Sequence, residues 1–351
     1  MKPGGPGSEK AGVVTVVIAA YERPQALRNA LRSLYRQTWT GWRALVVCDC
    51  CTPEFMSQVD RTDERVRYVN LPMRCGHQYG PNSIGMHLTD TEFLAFLNHD
   101  DLWLEDHLEI ALARLNSEGV EAYLGRAAFC HRHNQPGWPH GPERLMFSEL
   151  NRPEFLWRSL TGPVYFFEPA SAWVVRAEFA RKTGPWSPPD EIAVTPVMDW
   201  LARLAFSGAR FSIGSQVSVL KLNLHHGSKS MPSYHQGDAG QQHFEGMLSQ
   251  SAEALRVTIA EDLPLARSRG LKVREDMADS LEMTPAERDR LSGFLLYLQT
   301  GIQVPGLLGP PIGTYTSRNA FANLAGRTGE RLDRFPSVDS ILAALASTTR
   351  P

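Results

Sequence analysis

Short apolar segments alternate with amphipathic segments along the first two hundred residues. VVTVVIAA, from Val13 to Ala20, is a continuous β-branched run, which is typical of a strand buried on both faces. Helical spacing of apolar residues follows Pro24. Further strands are predicted at 44–48, 66–69, 92–97 and 122–129, and helices at 82–88 and 104–115. This alternation predicts an α/β domain with a mostly parallel sheet flanked by helices.

The pattern changes twice farther along the chain. Residues 131–158 are rich in Pro, Gly, His and Trp and are predicted to form a long loop of the kind that binds ligands. Helices at 176–182 and 199–207 and strands at 210–213 and 217–222 are predicted next. After residue 236 the pattern is mostly helical. Thr284 begins a capping box for a helix to about residue 299, and Ser337 is expected to cap a final helix.

Composition and charge exclude several classes of function. The 351 residues carry a formal net charge of −2 with scattered basic residues, which argues against nucleic-acid binding. Residues 1–12 are Gly/Pro-rich, lack the apolar core of a signal peptide and are predicted to be a disordered leader. No apolar run reaches the ~18–20 residues of a membrane helix. We therefore expect a cytoplasmic protein without membrane insertion.

Five cysteines, Cys48, Cys50, Cys51, Cys75 and Cys130, do not form a disulfide pattern, because their number is odd and their spacing irregular. A zinc site from the first four together with His77 is conceivable, but the spacing of a structural zinc site is missing. Reduced thiols around a strand end are the preferred interpretation.

Polar residues follow three of the predicted strands, at the edge where ligands bind in such sheets. Tyr21 and Glu22 follow the first strand, Asp49 the second, and Asn98-His99-Asp100-Asp101 the fourth. Carboxylates at such a position can hold Mg²⁺ or Mn²⁺ together with substrate phosphates. Alternatively, Asp100 or Asp101 caps the next helix.

Further polar residues have both a chemical and a structural interpretation. Asp49 can accept a hydrogen bond from a pyrimidine imide, or serve as a turn residue. Asp199 is predicted to open a helix, where an ionised carboxylate can remove a proton from an acceptor hydroxyl or act as an N-cap. His225 and His226 follow the last strand as further metal ligands or as loop residues. Lys229 and Arg74 can contact phosphate or remain surface charges.

Three segments together resemble family 2 inverting glycosyltransferases of the GT-A fold. VVTVVIAAYERPQALRNALRSLYRQTWTGWRALVVCDCCT resembles the nucleotide-binding opening of that family, and FLAFLNHDDLWLEDHLE resembles its metal-binding segment. ASAWVVRAEFARKTGPWSP followed by VMDWLARLAFSGARF resembles its acceptor segment. The resemblance covers about Val13 to Ser228. It implies a GT-A catalytic domain at 13–235, with a donor half at about 13–103 and an acceptor half at about 120–235, and leaves a helical C-terminal extension at 236–351.

The resemblance also implies roles for individual residues. Asp199 would be the catalytic base, and Asp49 would contact the uracil or thymine base. Asp100 would bind the metal with Asp101 beside it, and His225 or His226 would lie near the metal or the diphosphate. Asn98 and Trp200 are further candidates. The other residues implied on the donor side are Ala20, Tyr21, Glu22, Arg23, Asn82 and His99.

Three positions depart from the family pattern. Asn98 stands where the first aspartate of the metal-binding triplet is usual, and Cys50 stands where a second acid often ends the second strand. Pro81 replaces an arginine, so Arg74 or His77 is expected to take over its contact with phosphate.

The resemblance implies a single displacement that inverts the anomeric carbon and moves a hexosyl or related sugar from a UDP- or dTDP-sugar to a hydroxyl or amine. A soluble small-molecule acceptor is expected, because no membrane segment is present and aromatic residues that can form an acceptor surface occur at Trp138, Trp157, Trp173, His131, His133 and His140. Alternatively, several of these tryptophans belong to the core. A polysaccharide or cell-envelope transferase is the alternative.

Nucleotidyl transfer is disfavoured because no Gly-rich loop follows the first strand. A non-catalytic nucleotide or sugar binder also stays open, and the helical extension is a possible homodimer contact.

Overall fold

The computed structural model describes residues 12–132, 144–147, 169–192, 195–223, 240–268, 324–325 and 330–348. Its strands are β1 (Val14–Ala20), β2 (Trp42–Cys48), β3 (Val66–Asn70), β4 (Phe93–Phe96), β5 (Asp101–Trp103), β6 (Ala122–Arg132), β7 (Arg144–Phe147), β8 (Trp173–Arg176) and β9 (Phe211–Asn223). Its helices are α1 (Pro24–Tyr35), α2 (Pro53–Ser57), α3 (Tyr79–His87), α4 (His107–Ser117), α5 (Ala177–Thr183), α6 (Pro196–Phe206), α7 (Ala252–Ser268) and α8 (Val338–Thr348). Two 3₁₀ segments lie at Ala170–Ala172 and Gly240–Ser249.

One mixed sheet has the order β3-β2-β1-β4-β8-β6-β9-β5, with β7 paired to β6. Strands β1 to β4 are parallel to one another, whereas β8 runs antiparallel to β4 and β6. β2 and β3 lie in sequence order on one side of β1, and β4 lies on the other side of β1. Such a reversal of strand order leaves a crevice at the carboxyl ends of the strands, where ligands bind in α/β sheets. A mostly parallel sheet flanked by helices was predicted, and the α/β fold is confirmed, with parallel pairs within β1 to β4 and between β6 and β9.

Close packing surrounds β1 at the centre of the parallel strands. All seven residues of β1 are buried, as expected for a strand covered on both faces. Gly85 of α3 lies so near β1 that a Cβ atom there would come within 2.3 Å of the Val17 side chain. Any larger residue at position 85 would therefore push α3 away from the strand.

A stack of three indole rings forms part of the core. Trp173, Trp186 and Trp200 have ring centroids 5.5–6.0 Å apart, and each is fully buried. Phe96 of β4 meets the Trp200 ring edge to face at 5.6 Å. Trp173 is thus a core residue, and the prediction that it offers a surface to an acceptor was wrong. Trp138, Trp157, His133 and His140 lie outside the described residues, as does the side chain of His131.

Several predicted boundaries differ from the observed ones. The helix predicted at 104–115 begins at His107, because Asp101–Trp103 pairs as a short strand with β9. The strands predicted at 210–213 and 217–222 form one strand, β9, which follows β6 across the polar residues 214–216 through a register irregularity near Arg126. The predicted loop at 131–158 contains β7, which pairs antiparallel with β6 through backbone hydrogen bonds. In each case pairing with a strand that is distant in sequence, and not the local pattern of apolar residues, set the boundary of the element.

The C-terminal segments share cores with the sheet. Phe244, Met247 and Leu255 pack against Leu102 and Leu220 from β5 and β9. Ser337 caps α8 as predicted, since its Oγ accepts the Ser340 N–H at 3.2 Å. The helix predicted at 284–299 lies outside the described residues. None of the described helices has the length and apolar character needed to span a lipid bilayer.

Candidate active site

Two residues with unusual backbone angles mark the ends of β1 and β2. Glu22 has φ 44° and Cys50 has φ 56°, in the left-handed region that non-glycine residues rarely adopt. The Glu22 carboxylate accepts hydrogen bonds from the Thr52 backbone N–H at 2.5 Å and from Thr52 Oγ1 at 3.0 Å, so it ties the two strand ends together. Such strained residues cluster at functional sites, where the surrounding structure holds them.

Asp49, directly after β2, organises the loop that follows β3. It is 3% exposed, and its oxygens accept the backbone N–H groups of Cys75 at 2.6 Å and Gly76 at 2.9 Å. Arg74 forms an ion pair with the same carboxylate. Burial raises the pKa of Asp49, and Arg74 and the two amides oppose that rise. Asp49 therefore holds the 74–76 loop against the end of β2, at the position predicted for the donor base.

Tyr21 and Arg74 face each other across this edge. The Arg74 guanidinium carbon lies 3.4 Å from the centre of the Tyr21 ring, a stacked cation–π arrangement. Both side chains also bind Glu330, which accepts hydrogen bonds from the Tyr21 hydroxyl and, at 2.9 Å, from Arg74 Nε. His77 lies farther along the loop, where its ring stacks on Tyr79 at 6.2 Å. Of the two residues predicted to replace a missing arginine, Arg74 is the one at the rim.

Asp100 and Arg23 form an ion pair below the end of β4. Arg23 Nη1 lies 3.0 Å from Asp100 Oδ2, and the Arg23 side chain is 1% exposed whereas that of Asp100 is 25% exposed. His99 is nearly buried, and its Nδ1 lies 2.8 Å from the Ala19 carbonyl oxygen of β1. Asp100 is thus the residue of the Asn98-His99-Asp100-Asp101 segment whose carboxylate reaches solvent. The buried Arg23 guanidinium therefore lies next to the partly exposed Asp100 carboxylate.

Asp101 lies inside the protein as part of a polar network. It is fully buried in β5, where Asn98 Nδ2 and Ser171 Oγ donate hydrogen bonds to Oδ2 at 3.0 and 2.6 Å. Lys221 Nζ of β9 lies 3.0 Å from Oδ1. Burial raises the pKa of Asp101, and Lys221 opposes that rise. These contacts use both carboxylate oxygens, so the metal-binding set proposed below contains Asp100 and not Asp101.

Lys221→Met is expected to destabilise the protein by about 3–5 kcal/mol at pH 8, because it leaves Asp101 buried without its ion-pair partner. Without Lys221 the pKa of Asp101 rises further, so the folded state takes up a proton that the unfolded chain releases. The penalty should therefore grow as the pH rises and shrink toward pH 5. Urea unfolding at both pH values measures it.

A matched control for this change is Arg36→Met, which breaks the more exposed ion pair of Arg36 with Glu105. Its expected cost is below about 1 kcal/mol at either pH. Equal stability of the two variants at pH 8 would show that Lys221 does not compensate Asp101.

Asn82 and Asp199 are buried polar residues on the helices α3 and α6. Asn82, in the first turn of α3, is 1% exposed, and its Nδ2 finds no hydrogen-bond acceptor among the described residues. Asp199 is 3% exposed and accepts hydrogen bonds from Ser187 Oγ at 2.8 Å and Arg203 Nε at 2.9 Å. Thr195, not Asp199, caps α6. His225, His226 and Lys229 lie outside the described residues.

Three participants were not found from the sequence alone. Lys221 had a weak signal, because it is a lone charge in the apolar run VSVLKL and such a charge needs a partner. Ser171 and Glu330 had none, since their partners are 70 and 309 residues away along the chain. The cysteines agree with the expectation of reduced thiols, since Cys48, Cys51, Cys75 and Cys130 are buried and form no disulfide bond.

The donor atoms at the rim fit a cation that is shared with a ligand. No group of three or more His, Cys, Asp or Glu side chains suited to a metal is found in the part of the chain that the structure describes. Mg²⁺ and Mn²⁺ are nevertheless often bound by one or two carboxylates and by substrate phosphates. The partly exposed Asp100, with the amide oxygen of Asn98 two residues away, meets that lesser requirement.

Comparison with known proteins identifies the domain. The family profile "Glycosyl transferase family 2" matches residues 15–184. The chain is 27% identical over 146 residues to TuaG of Bacillus subtilis strain 168, named for teichuronic acid biosynthesis, covering 39% of this chain and 56% of that protein. It is 19% identical over 139 residues to WfgD of Escherichia coli, a UDP-Glc:alpha-D-GlcNAc-diphosphoundecaprenol beta-1,3-glucosyltransferase, covering 39% and 54%. It is 31% identical over 117 residues to the succinoglycan biosynthesis protein ExoW of Rhizobium meliloti strain 1021, covering 31% and 36%. The chain spans about half the length of the first two of these relatives.

Solved structures show a looser likeness. S. aureus TarS 1–349 in complex with UDP-GlcNAc is 14% identical, with a TM-score of 0.49, over 90% of this chain and 81% of that one. The mannosyltransferase PcManGT from Pyrobaculum calidifontis, in complex with GDP-Man and Mn²⁺, is 16% identical, with a TM-score of 0.45, over 82% and 84%. These scores assign no role to any residue. The family profile over residues 15–184, together with the parallel strands β1 to β4 and the polar residues at their ends, identifies this part of the chain as a glycosyltransferase family 2 domain with the GT-A fold.

Proposed function

We propose that this chain transfers a sugar from a nucleoside-diphosphate sugar to a carbohydrate acceptor during assembly of a cell-surface polysaccharide. The observation that carries the proposal is the convergence of Tyr21, Asp49 and Asp100 at the carboxyl ends of β1, β2 and β4. In an α/β sheet this edge is where a nucleotide binds. A UDP-sugar is the first donor to test, because WfgD is named for one.

The relatives change the expected acceptor. TuaG, WfgD and ExoW are named for teichuronic acid, a diphosphoundecaprenol-linked sugar and succinoglycan, respectively. The sequence favoured a soluble small molecule, partly on the aromatic surface that included Trp173. That residue is core, so one support of the small-molecule acceptor is gone. A saccharide, free or lipid-linked, is the acceptor we propose, which was the alternative interpretation of the sequence.

The donor half supplies positive charge and hydrogen-bond donors for a diphosphate. Asp100, with Asn98, would hold a divalent cation that offsets the charge developing on the leaving diphosphate. Arg23 adds a fixed guanidinium 3.0 Å from Asp100. The buried Nδ2 of Asn82 lacks an acceptor among the described residues, and a buried amide of this kind gains free energy when a ligand oxygen reaches it. These groups favour a bound diphosphate over a neutral ligand.

The acceptor side contributes the proposed base. Asp199 forms an ion pair with Arg203, and a charged carboxylate is the form that removes a proton. Its helix, α6, packs through Trp200 on Phe96, near the end of β4. A direct displacement by the deprotonated acceptor would invert the anomeric carbon, as the family resemblance implies.

Thermal unfolding with UDP, dTDP and GDP, each with and without Mn²⁺, tests the proposed donor site. A nucleotide at 100 times its dissociation constant stabilises the folded state by about 2.7 kcal/mol, so a clear rise in the midpoint is expected for at least UDP. The rise should be larger with metal, because the cation would bridge Asp100 and the diphosphate.

Uridine monophosphate is the matched control ligand, since it keeps the base and loses the second phosphate. Its shift should not depend on metal. A folded protein that responds to none of the diphosphates would contradict the proposed donor site. Release of UDP from a UDP-sugar then separates an enzyme from a protein that only binds nucleotides.

A further inference from the structure

The described C-terminal residues dock on the donor half beside the Asp49 loop. The Tyr79 hydroxyl of α3 donates a hydrogen bond to the Pro336 carbonyl oxygen at 2.6 Å, and the Tyr79 and Phe335 rings meet edge to face at 6.2 Å. Ile341 of α8 is fully buried, and Phe335 is 5% exposed. We call residues 330–348 the C-terminal strap. These contacts anchor it on α3, so its first residue, Glu330, has a fixed position.

Glu330 binds both members of the stacked pair at the end of β1. Its Oε2 accepts from Arg74 Nε at 2.9 Å, and its Oε1 accepts from the Tyr21 hydroxyl. On the other side, Asp49 binds Arg74 Nη1. The guanidinium is thus held between two carboxylates, while its face lies 3.4 Å from the Tyr21 ring centre. Because a guanidinium is planar, three such contacts fix its plane as well as its position.

We propose that Glu330 is a positioning residue for the donor nucleobase and that the C-terminal strap completes the base subsite. The inference rests on the proposed function and assigns that subsite a part from outside the segment that matches the family. Glu330 holds Arg74 flat on Tyr21, so the remaining N–H groups of the guanidinium point in a fixed direction at the end of β1. Arg74 Nη2, which is left over from the carboxylate contacts, donates to a carbonyl oxygen on the edge of the base.

A hydrogen bond from Arg74 Nη2 favours nucleobases that have a carbonyl oxygen. Uracil, thymine and guanine each carry a carbonyl oxygen beside a ring N–H, whereas adenine has no carbonyl oxygen. A donor held by Arg74 is therefore a UDP-, dTDP- or GDP-sugar and not an ADP-sugar.

The test is a double-mutant cycle on the binding of UDP, measured by calorimetry with the full chain and Mn²⁺. Glu330→Gln keeps the size of the side chain and weakens its hold on Arg74, so we expect the Kd for UDP to rise about tenfold. Arg74→Lys keeps the charge but loses the planar group, and a similar rise is expected. In the Arg74→Lys background, Glu330→Gln should cause little further change, because Glu330 acts through Arg74.

Glu105→Gln is the matched control, because Glu105 is 30% exposed and pairs with Arg36 at 3.0 Å, whereas Glu330 is 34% exposed and pairs with Arg74 at 2.9 Å. It should leave the Kd for UDP unchanged. An unchanged or lower Kd in Glu330→Gln, or additive effects in the double variant, would overturn the positioning role while leaving the proposed function intact. A wild-type protein that binds none of UDP, dTDP and GDP would overturn both.

Discussion

Replacing Asp100 by asparagine is expected to lower donor turnover by about 100- to 1,000-fold, the usual range for loss of one group that stabilises developing charge. Asp100 is the carboxylate of its segment that reaches solvent, with its side chain 25% exposed. An asparagine keeps the shape but removes the charge that would hold a divalent cation near the diphosphate. Release of UDP from a UDP-sugar, followed across a range of Mn²⁺ concentrations, measures the loss.

The same change should also reduce stability, because Arg23 is 1% exposed and loses a charged partner. Asp106→Asn is the matched control, since the Asp106 side chain is 23% exposed and binds Arg256 at 2.8 Å away from the rim. That variant should keep wild-type turnover. If Asp100→Asn turns over normally at every Mn²⁺ concentration, Asp100 is not the group that holds the metal.

Asp199→Asn is expected to lower turnover by about 100- to 10,000-fold while leaving UDP binding nearly unchanged, as for loss of a general base. Asparagine preserves the hydrogen bond from Ser187 but cannot accept a proton from the acceptor. Turnover with a saccharide acceptor and calorimetric titration with UDP give the two quantities separately. The turnover should not recover at high pH, because the missing base is not replaced by titration of another group.

Asp199 also has contacts that would explain its position without catalysis, and Ser187→Ala distinguishes the two roles. That variant removes one hydrogen bond to Asp199 Oδ2 and leaves the carboxylate. A base role predicts near-normal turnover in Ser187→Ala. Equal losses of stability in the two variants, with turnover retained in Asp199→Asn, would instead make Asp199 an anchor for Arg203 and the first turn of α6.

The donor half was predictable because its signals are local. β1, β2 and β4 are continuous apolar runs, and the polar residues that follow them share one edge whatever the rest of the chain does. The helix predicted at 82–88 was displaced, since α3 begins at Tyr79, where the Asp49 loop and Pro336 hold its first turn. Local spacing gave the existence of that helix, and a distant contact set where it begins.

The partners of the candidate residues were not predictable in the same way. Asp100 and Asp101 look equivalent in sequence, yet one carboxylate reaches solvent and the other is sealed in β5. The difference arises because β5 pairs with β9, which brings Lys221 opposite Asp101. Glu330 reaches Tyr21 only through the docking of α8 on α3. Contacts between residues so far apart leave no periodic pattern, so a single sequence does not reveal them.

The hydrogen bond between Tyr21 and Glu330 spans 309 positions, and this separation has a consequence for the order of folding. At ~5–20 residues per second, a ribosome adds Glu330 roughly 15–60 s after Tyr21. During that interval β1 to β4 can already pair, because their contacts are closer in sequence and local contacts form sooner. Arg74 then meets Asp49 well before it meets Glu330, so the edge at the ends of β1 and β2 acquires its last contacts only after the first strands have paired.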